Sequence, residues 1–143
     1  MRSVLIVLFV AIAATGGYAA GKMQFHGERV KLIHAQEIQE KLDGLEAKVS
    51  FVEVTIPAGQ DGMPHRHPGP VFGYVLEGDY ELGVDDQLTK IFHTGETFYE
   101  PSGCLHRVSK NPNAKGTARL IAVVVHPRDA EQLAIPEPAS EKP

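Results

Sequence analysis

Two histidines two residues apart, His65 and His67, stand in the stretch GMPHRHPGPVFGYVLEG, Gly62 to Gly78. On an extended strand, residues at that spacing point to one face. Two imidazoles so placed can hold one metal ion at roughly 2.0–2.1 Å each. Alone, the pair is also compatible with two histidines that are simply hydrogen-bonded. His106 is the third member. It follows a rigid turn, Pro101-Ser102-Gly103, that opens a new strand and could aim the ring inward beside the first two. Three histidines converging from two strands suit zinc with an open position, and iron, manganese, nickel or copper as well.

In the inward parity set by His65 and His67, Gly69, Val71, Gly73 and Val75 follow on the same face. Val71, Gly73 and Val75 make a small apolar pocket lining, suited to a modest organic ligand reaching an open metal position. Phe72, Tyr74 and Leu76 fall on the other face, against another sheet or a partner subunit, unless a bulge turns the Tyr74 hydroxyl into the pocket. Arg66 points away from the metal as a rim cation. Cys104 lies two residues before His106. If the strand has begun there, its sulfur joins the pocket as a soft ligand or redox-sensitive neighbour; otherwise it is a small buried hydrophobe. His93, His26, His34 and His126 read as surface residues.

The elements that must position these groups are short strands. Lys48 to Ile56 alternates, with Ser50, Val52, Val54 and Ile56 opposite Val49 and Phe51. Strands are predicted at Val71–Glu77, Tyr80–Val84, Leu88–Phe92, Thr97–Tyr99 and Leu105–Ser109, separated by turn residues. Ala118–Val125 is nearly all apolar and reads as a central strand buried on both faces. Before them, Ala35–Leu42 carries a short helical period, with Gly44 as a stop. The fold class is all-β, a sandwich or barrel including the jelly roll.

Gly62, His65, His67 and Gly78 resemble the first motif of the cupins, and Gly95, Pro101, Gly103 and His106 resemble the second, in GETFYEPSGCLH. Asn111 lies one position beyond the second motif's usual asparagine. The resemblance covers Lys48 to about His126, and the short Asp79–Thr94 segment between the motifs is typical of small bacterial cupins. It implies a cupin jelly-roll β-barrel open at one end, a metal held by His65, His67 and His106, and pairing of two copies through strand edges and exposed aromatic faces. The expected organisation is a signal peptide at residues 1–20, an N-terminal arm at 21–47, the barrel at 48–127 and a partly disordered C-terminal tail at 128–143.

The family's fourth ligand is a glutamate four residues after the second histidine. That position is Val71. Three readings compete. In the first the site works with three histidines, as the resemblance to thiol dioxygenases and some other cupin dioxygenases implies. In the second it is degenerate. In the third another carboxylate is recruited: Glu100 is nearest in sequence to the second motif, although nothing in the sequence sets its direction, and Glu77 reads as a solvated edge residue. The first is favoured here. The cofactor is then a divalent metal, ferrous iron before zinc, manganese or nickel, and the function a dioxygenase-like oxidoreductase on a small organic substrate. No side chain stands out as a general base, so catalytic residues are unassigned. The alternative is a non-catalytic cupin that captures a small molecule, a sugar or a metal.

Composition bounds the partners. MRSVLIVLFVAIAATGGYAAGK has Arg2, an apolar run from Val4 to Ala14 and then small residues, the pattern of a cleaved secretory signal; the alternative is a retained anchor, although the run is shorter than the about 20 residues a span takes. The expected location is periplasmic or secreted. Removing residues 1–20 leaves 13 Lys and Arg against 18 Asp and Glu, net −5. A mildly acidic chain with no basic run does not bind nucleic acid by counterion release, nor a membrane surface through a basic amphipathic face. Cys104 is the only cysteine, which excludes an internal disulfide.

Overall fold

The structure, a computed structural model, describes residues 24–25 and 27–137. The expected signal segment, His26 and residues 138–143 of the expected tail lie outside the described residues. The strands are β1 (Gln24–Phe25), β2 (Glu28–Leu42), β3 (Leu45–Pro57), β4 (His65–Arg66), β5 (Val71–Glu77), β6 (Asp79–Val84), β7 (Lys90–His93), β8 (Thr97–Glu100), β9 (Leu105–Lys110), β10 (Thr117–Pro127) and β11 (Ile135–Pro136). Two antiparallel sheets result, in the orders β1-β2-β3-β10-β5-β8 and β11-β4-β9-β6-β7. Among the described residues there is no helix, and so none long and apolar enough to cross a membrane.

The helical reading of Ala35–Leu42 is corrected: this segment is the end of β2. An isolated helix of that length is marginal in water. Pairing with β3 instead satisfies its backbone, from Arg29 opposite Thr55 to Leu42 opposite Leu45. Asp43 and Gly44 close the hairpin with φ of 50° and 80°. Two successive left-handed residues form the tight turn whose twist matches paired strands. Gly44 therefore stops a strand rather than a helix.

Alternation then builds the core. Ile56, Val71, Val75, Leu120 and Val124 are fully or almost fully buried between the sheets, with Tyr80 and Phe98. β10 is central, as expected, but it is not buried on both faces. Its even-numbered residues from Ala118 to His126 are buried, while Arg119, Ile121, Val123 and Val125 are half-buried on the outer face. An apolar run alone does not distinguish the two cases. At Gly78 the chain leaves the six-stranded sheet and enters the other. Its φ is +73°, and a Cβ there would lie 2.6 Å from the Thr117 carbonyl oxygen. Both facts require glycine.

The C-terminal segment folds back over the barrel. β11 pairs with β4, Ile135 opposite Arg66. The Arg66 guanidinium donates to both Glu137 carboxylate oxygens at 2.9 and 3.2 Å and to the Gly103 carbonyl at 2.9 Å. Arg66 points away from the histidines, as its parity requires.

Candidate metal centre

His65 lies on β4, His67 just beyond it and His106 directly opposite His65 on β9. One ligand atom from each lies within 4.8 Å of the others. The geometry also settles which atoms these are. His65 Nδ1 lies 2.7 Å from the Met63 carbonyl oxygen, and His67 Nδ1 2.6 Å from that of Leu133. A carbonyl has no proton to give, so each Nδ1 carries the proton and donates it. Burial lowers both pKa values, His67 to about 4 with the help of His65, so both rings are neutral. Their Nε2 atoms lie 3.1 Å apart, on the side of each ring away from the carbonyl it bonds.

His106 is held the other way round. Its Nε2 lies 3.0 Å from the Tyr80 hydroxyl, Tyr80 donates to Ser109 Oγ at 3.2 Å, and Ser109 donates to the Glu28 carboxylate in a short contact. The carboxylate accepts at the end of the chain and sets its direction. His106 Nε2–H therefore donates to Tyr80, and Nδ1 keeps its lone pair. Burial, then the neighbouring His65 and His67, holds this ring's pKa well below the usual histidine value. Such partners behind a ligand fix its tautomer and ring orientation.

Glu100 faces the same point. It is 2% exposed, and its Oε2 lies 3.2 Å from His106 Nδ1 and 3.7 Å from His67 Nε2. Neither Glu100 Oε2 nor His106 Nδ1 makes a hydrogen bond, although both are buried. Burial and then the charge of Glu28 raise the Glu100 pKa to about 8. Orphaned buried polar atoms are rare and mark a missing partner. The three histidines together fit a divalent cation, and the Glu100 carboxyl lies beside two of them, His106 and His67.

The cluster opens into a cavity of about 450 Å³, within the range of small-ligand pockets. Its walls are mostly apolar, with Val52, Leu120, Ala122 and Val124 among them, and Ala130 to Ala134 close one side. Val71, Gly73, Val75 and Cys104, the expected pocket residues, are buried and face inward but do not line it. The Phe98 ring occupies the space a Cβ on Gly73 would need, and it lines the cavity there. Cys104 is a free, buried thiol whose pKa burial pushes up to about 11. Phe72, Tyr74 and Leu76 lie on the outer face, with the Tyr74 hydroxyl away from the pocket. His93 is exposed and paired with Asp79 at 2.7 Å, and His34 is exposed.

His126 corrects the surface reading. It is 3% exposed, lines the cavity, donates through Nδ1 to the Pro127 carbonyl at 2.8 Å, accepts at Nε2 from Ser50 Oγ at 2.8 Å and shares the inward parity of Val124. Glu28, Tyr80 and Ser109 were not singled out by sequence. Tyr80 carried a signal, its shared parity with Leu82. Glu28 carried none: its carboxyl is buried against Gly62, where a Cβ would collide with it, and burial raises its pKa to about 7. That close approach explains a glycine of the first motif. Asn111 is buried and ties its loop together through the Ile56 carbonyl at 3.0 Å.

The sequence profile of the Cupin domain family matches residues 52–124, just over half of the chain. The chain is a cupin. No curated protein sequence matches it. Among solved structures, this cupin is similar to the DMSP lyase DddQ from Ruegeria pomeroyi (TM-score 0.55, 18% identity, covering 66% of this chain and 45% of that one). It is similar to the polyketide cyclase RemF from Streptomyces resistomycificus (TM-score 0.55, 24% identity, 82% and 75%). An oxalate oxidase bound to the substrate analogue glycolate gives 0.54 at 22% identity, covering 71% and 52%. The chain thus spans only about half the length of the lyase and the oxidase. These likenesses show a common fold.

Proposed function

We propose that this cupin binds one divalent metal ion through His65, His67 and His106 and acts as a dioxygenase-like oxidoreductase on a small organic substrate. One observation carries the reading: one ligand atom from each of His65, His67 and His106 lies within 4.8 Å of the others, on the wall of a 450 Å³ cavity. A divalent ion there, ferrous iron on this reading, supplies open coordination positions and redox chemistry to a substrate beside it. The chain's own residues do the rest. Met63 and Leu133 carbonyls and the Tyr80–Ser109–Glu28 chain hold the rings, and the apolar walls exclude water from the substrate. The reading includes export behind the N-terminal segment and a homodimer joined through the aromatic outer face of the larger sheet, where Phe72 and Tyr99 stack at 5.3 Å between centroids.

The test is elemental analysis of residues 21–143 beside a His65→Ala/His67→Ala variant, followed by oxygen uptake of the iron-loaded protein with diketone, thiol and phenolic panels. Metal near one equivalent, abolished in the variant, with oxygen consumed by one panel is the expected outcome. Metal bound and ligands that stabilise the protein without turnover would replace the oxidoreductase with a non-catalytic binding cupin.

A further inference from the structure

The family's fourth ligand position holds Val71, which cannot ligate. Val71 is fully buried on β5, and its partner across the β5–β8 ladder is Glu100. Residues directly opposite each other on an antiparallel pair project to the same face, with Cβ atoms about 4.5–5.5 Å apart. A carboxylate moved sideways from one to the other therefore stays on the same side of the sheet, displaced by about 5 Å. The Glu100 side chain is long enough to cover the displacement, since its Oε2 lies within 3.2 Å of His106 Nδ1 and 3.7 Å of His67 Nε2. That oxygen makes no hydrogen bond, and neither does the His106 nitrogen facing it.

We infer that Glu100 is the fourth metal ligand of this cupin, the family's carboxylate transposed by one strand from β5 to β8. The inference rests on the metal-binding reading above and refines it. A three-histidine set leaves the full charge of a divalent ion uncompensated, whereas one carboxylate removes a unit of it. An oxygen donor also suits manganese and iron better than a purely imidazole set does. The position has a built-in control, because Val71 and Glu100 can be exchanged.

Manganous ion titrated into metal-stripped protein, read by calorimetry and by electron paramagnetic resonance, tests this. Four proteins are compared: wild type, Glu100→Gln, the exchange Val71→Glu/Glu100→Val, and His65→Ala/His67→Ala. Glutamine keeps the shape and loses the charge, and circular dichroism checks that each variant folds. The expected result is a loss of about tenfold or more in affinity for Glu100→Gln, an altered manganese spectrum, and recovery to near wild type in the exchange. Wild-type affinity and spectrum in Glu100→Gln, with binding abolished in His65→Ala/His67→Ala, would overturn the inference and leave a three-histidine site. No binding by the wild type would overturn the metal reading itself.

Discussion

His65 and His67 show how little of a ligand is the ligand itself. Each ring is oriented by a backbone carbonyl that accepts a hydrogen bond from its Nδ1–H. His106 reaches the same state through three side chains ending on Glu28. Glu28 is therefore an acid kept in a costly place. Its native pKa of about 7 stands above the ordinary 4.5 because burial penalises the charge, with Asp61 adding to the rise and Ser109 opposing it. The native state then holds its proton over a range in which the unfolded chain has released it. Stability contributed by this group falls as pH rises from about 4.5 to about 7 and is level above. Glu28→Gln in metal-stripped protein should gain on wild type across that window, by on the order of 3 kcal/mol at pH 8 relative to pH 4.5. Urea denaturation at a series of pH values measures this. A constant difference would show that the carboxyl ionises normally in the folded protein.

Strands were the most legible part of the chain. Val71–Glu77 has the boundaries its alternation predicts, and Tyr80–Val84, Thr97–Tyr99 and Leu105–Ser109 each extend by one residue. The direction of Glu100 was not legible: only the structure shows that Phe98, and with it the residue two further on, faces inward. The misread helix lies outside the motifs. Ala35–Leu42 looked helical because its period was judged without its partner strand. Residues 128–137, the first part of the expected tail, dock by one short bridge, β11 on β4, and by the Arg66–Glu137 pair, and nothing local in the sequence marks that docking. Yet that segment supplies the Leu133 carbonyl to His67 and a wall of the cavity. Truncation after Asp129 should lower metal affinity about tenfold or more, as loss of a ligand's supporting partner does, while the far-ultraviolet circular dichroism stays that of a β protein. Calorimetric titration with zinc measures it. Unchanged affinity would mean that the barrel alone orients His67.

The assembled barrel leaves one face poorly covered. On the outside of the larger sheet, Phe72 is 52% and Tyr99 54% exposed, next to Tyr74 and the half-buried Ile121 and Val123. This surface is the face through which the proposed homodimer would join. Sedimentation of wild type at twice the monomer mass, and of a Phe72→Glu/Tyr99→Glu variant at the monomer mass with its metal content intact, is the expected pair of results. A monomeric wild type would end the homodimer reading. The residue types, the His-x-His spacing, the inward parity and the turns around Gly78 and Pro101 were all legible in the chain, because each depends on a strand's period of two or on local backbone sterics. Which strands lie side by side is a different kind of fact. Glu100 replaces Val71 only because β8 pairs with β5, and Glu28 stands behind His106 only because the two sheets bring residues 28 and 109 together. Such contacts join positions far apart along the chain, and no local period encodes them; the packing of the two sheets around one core creates them.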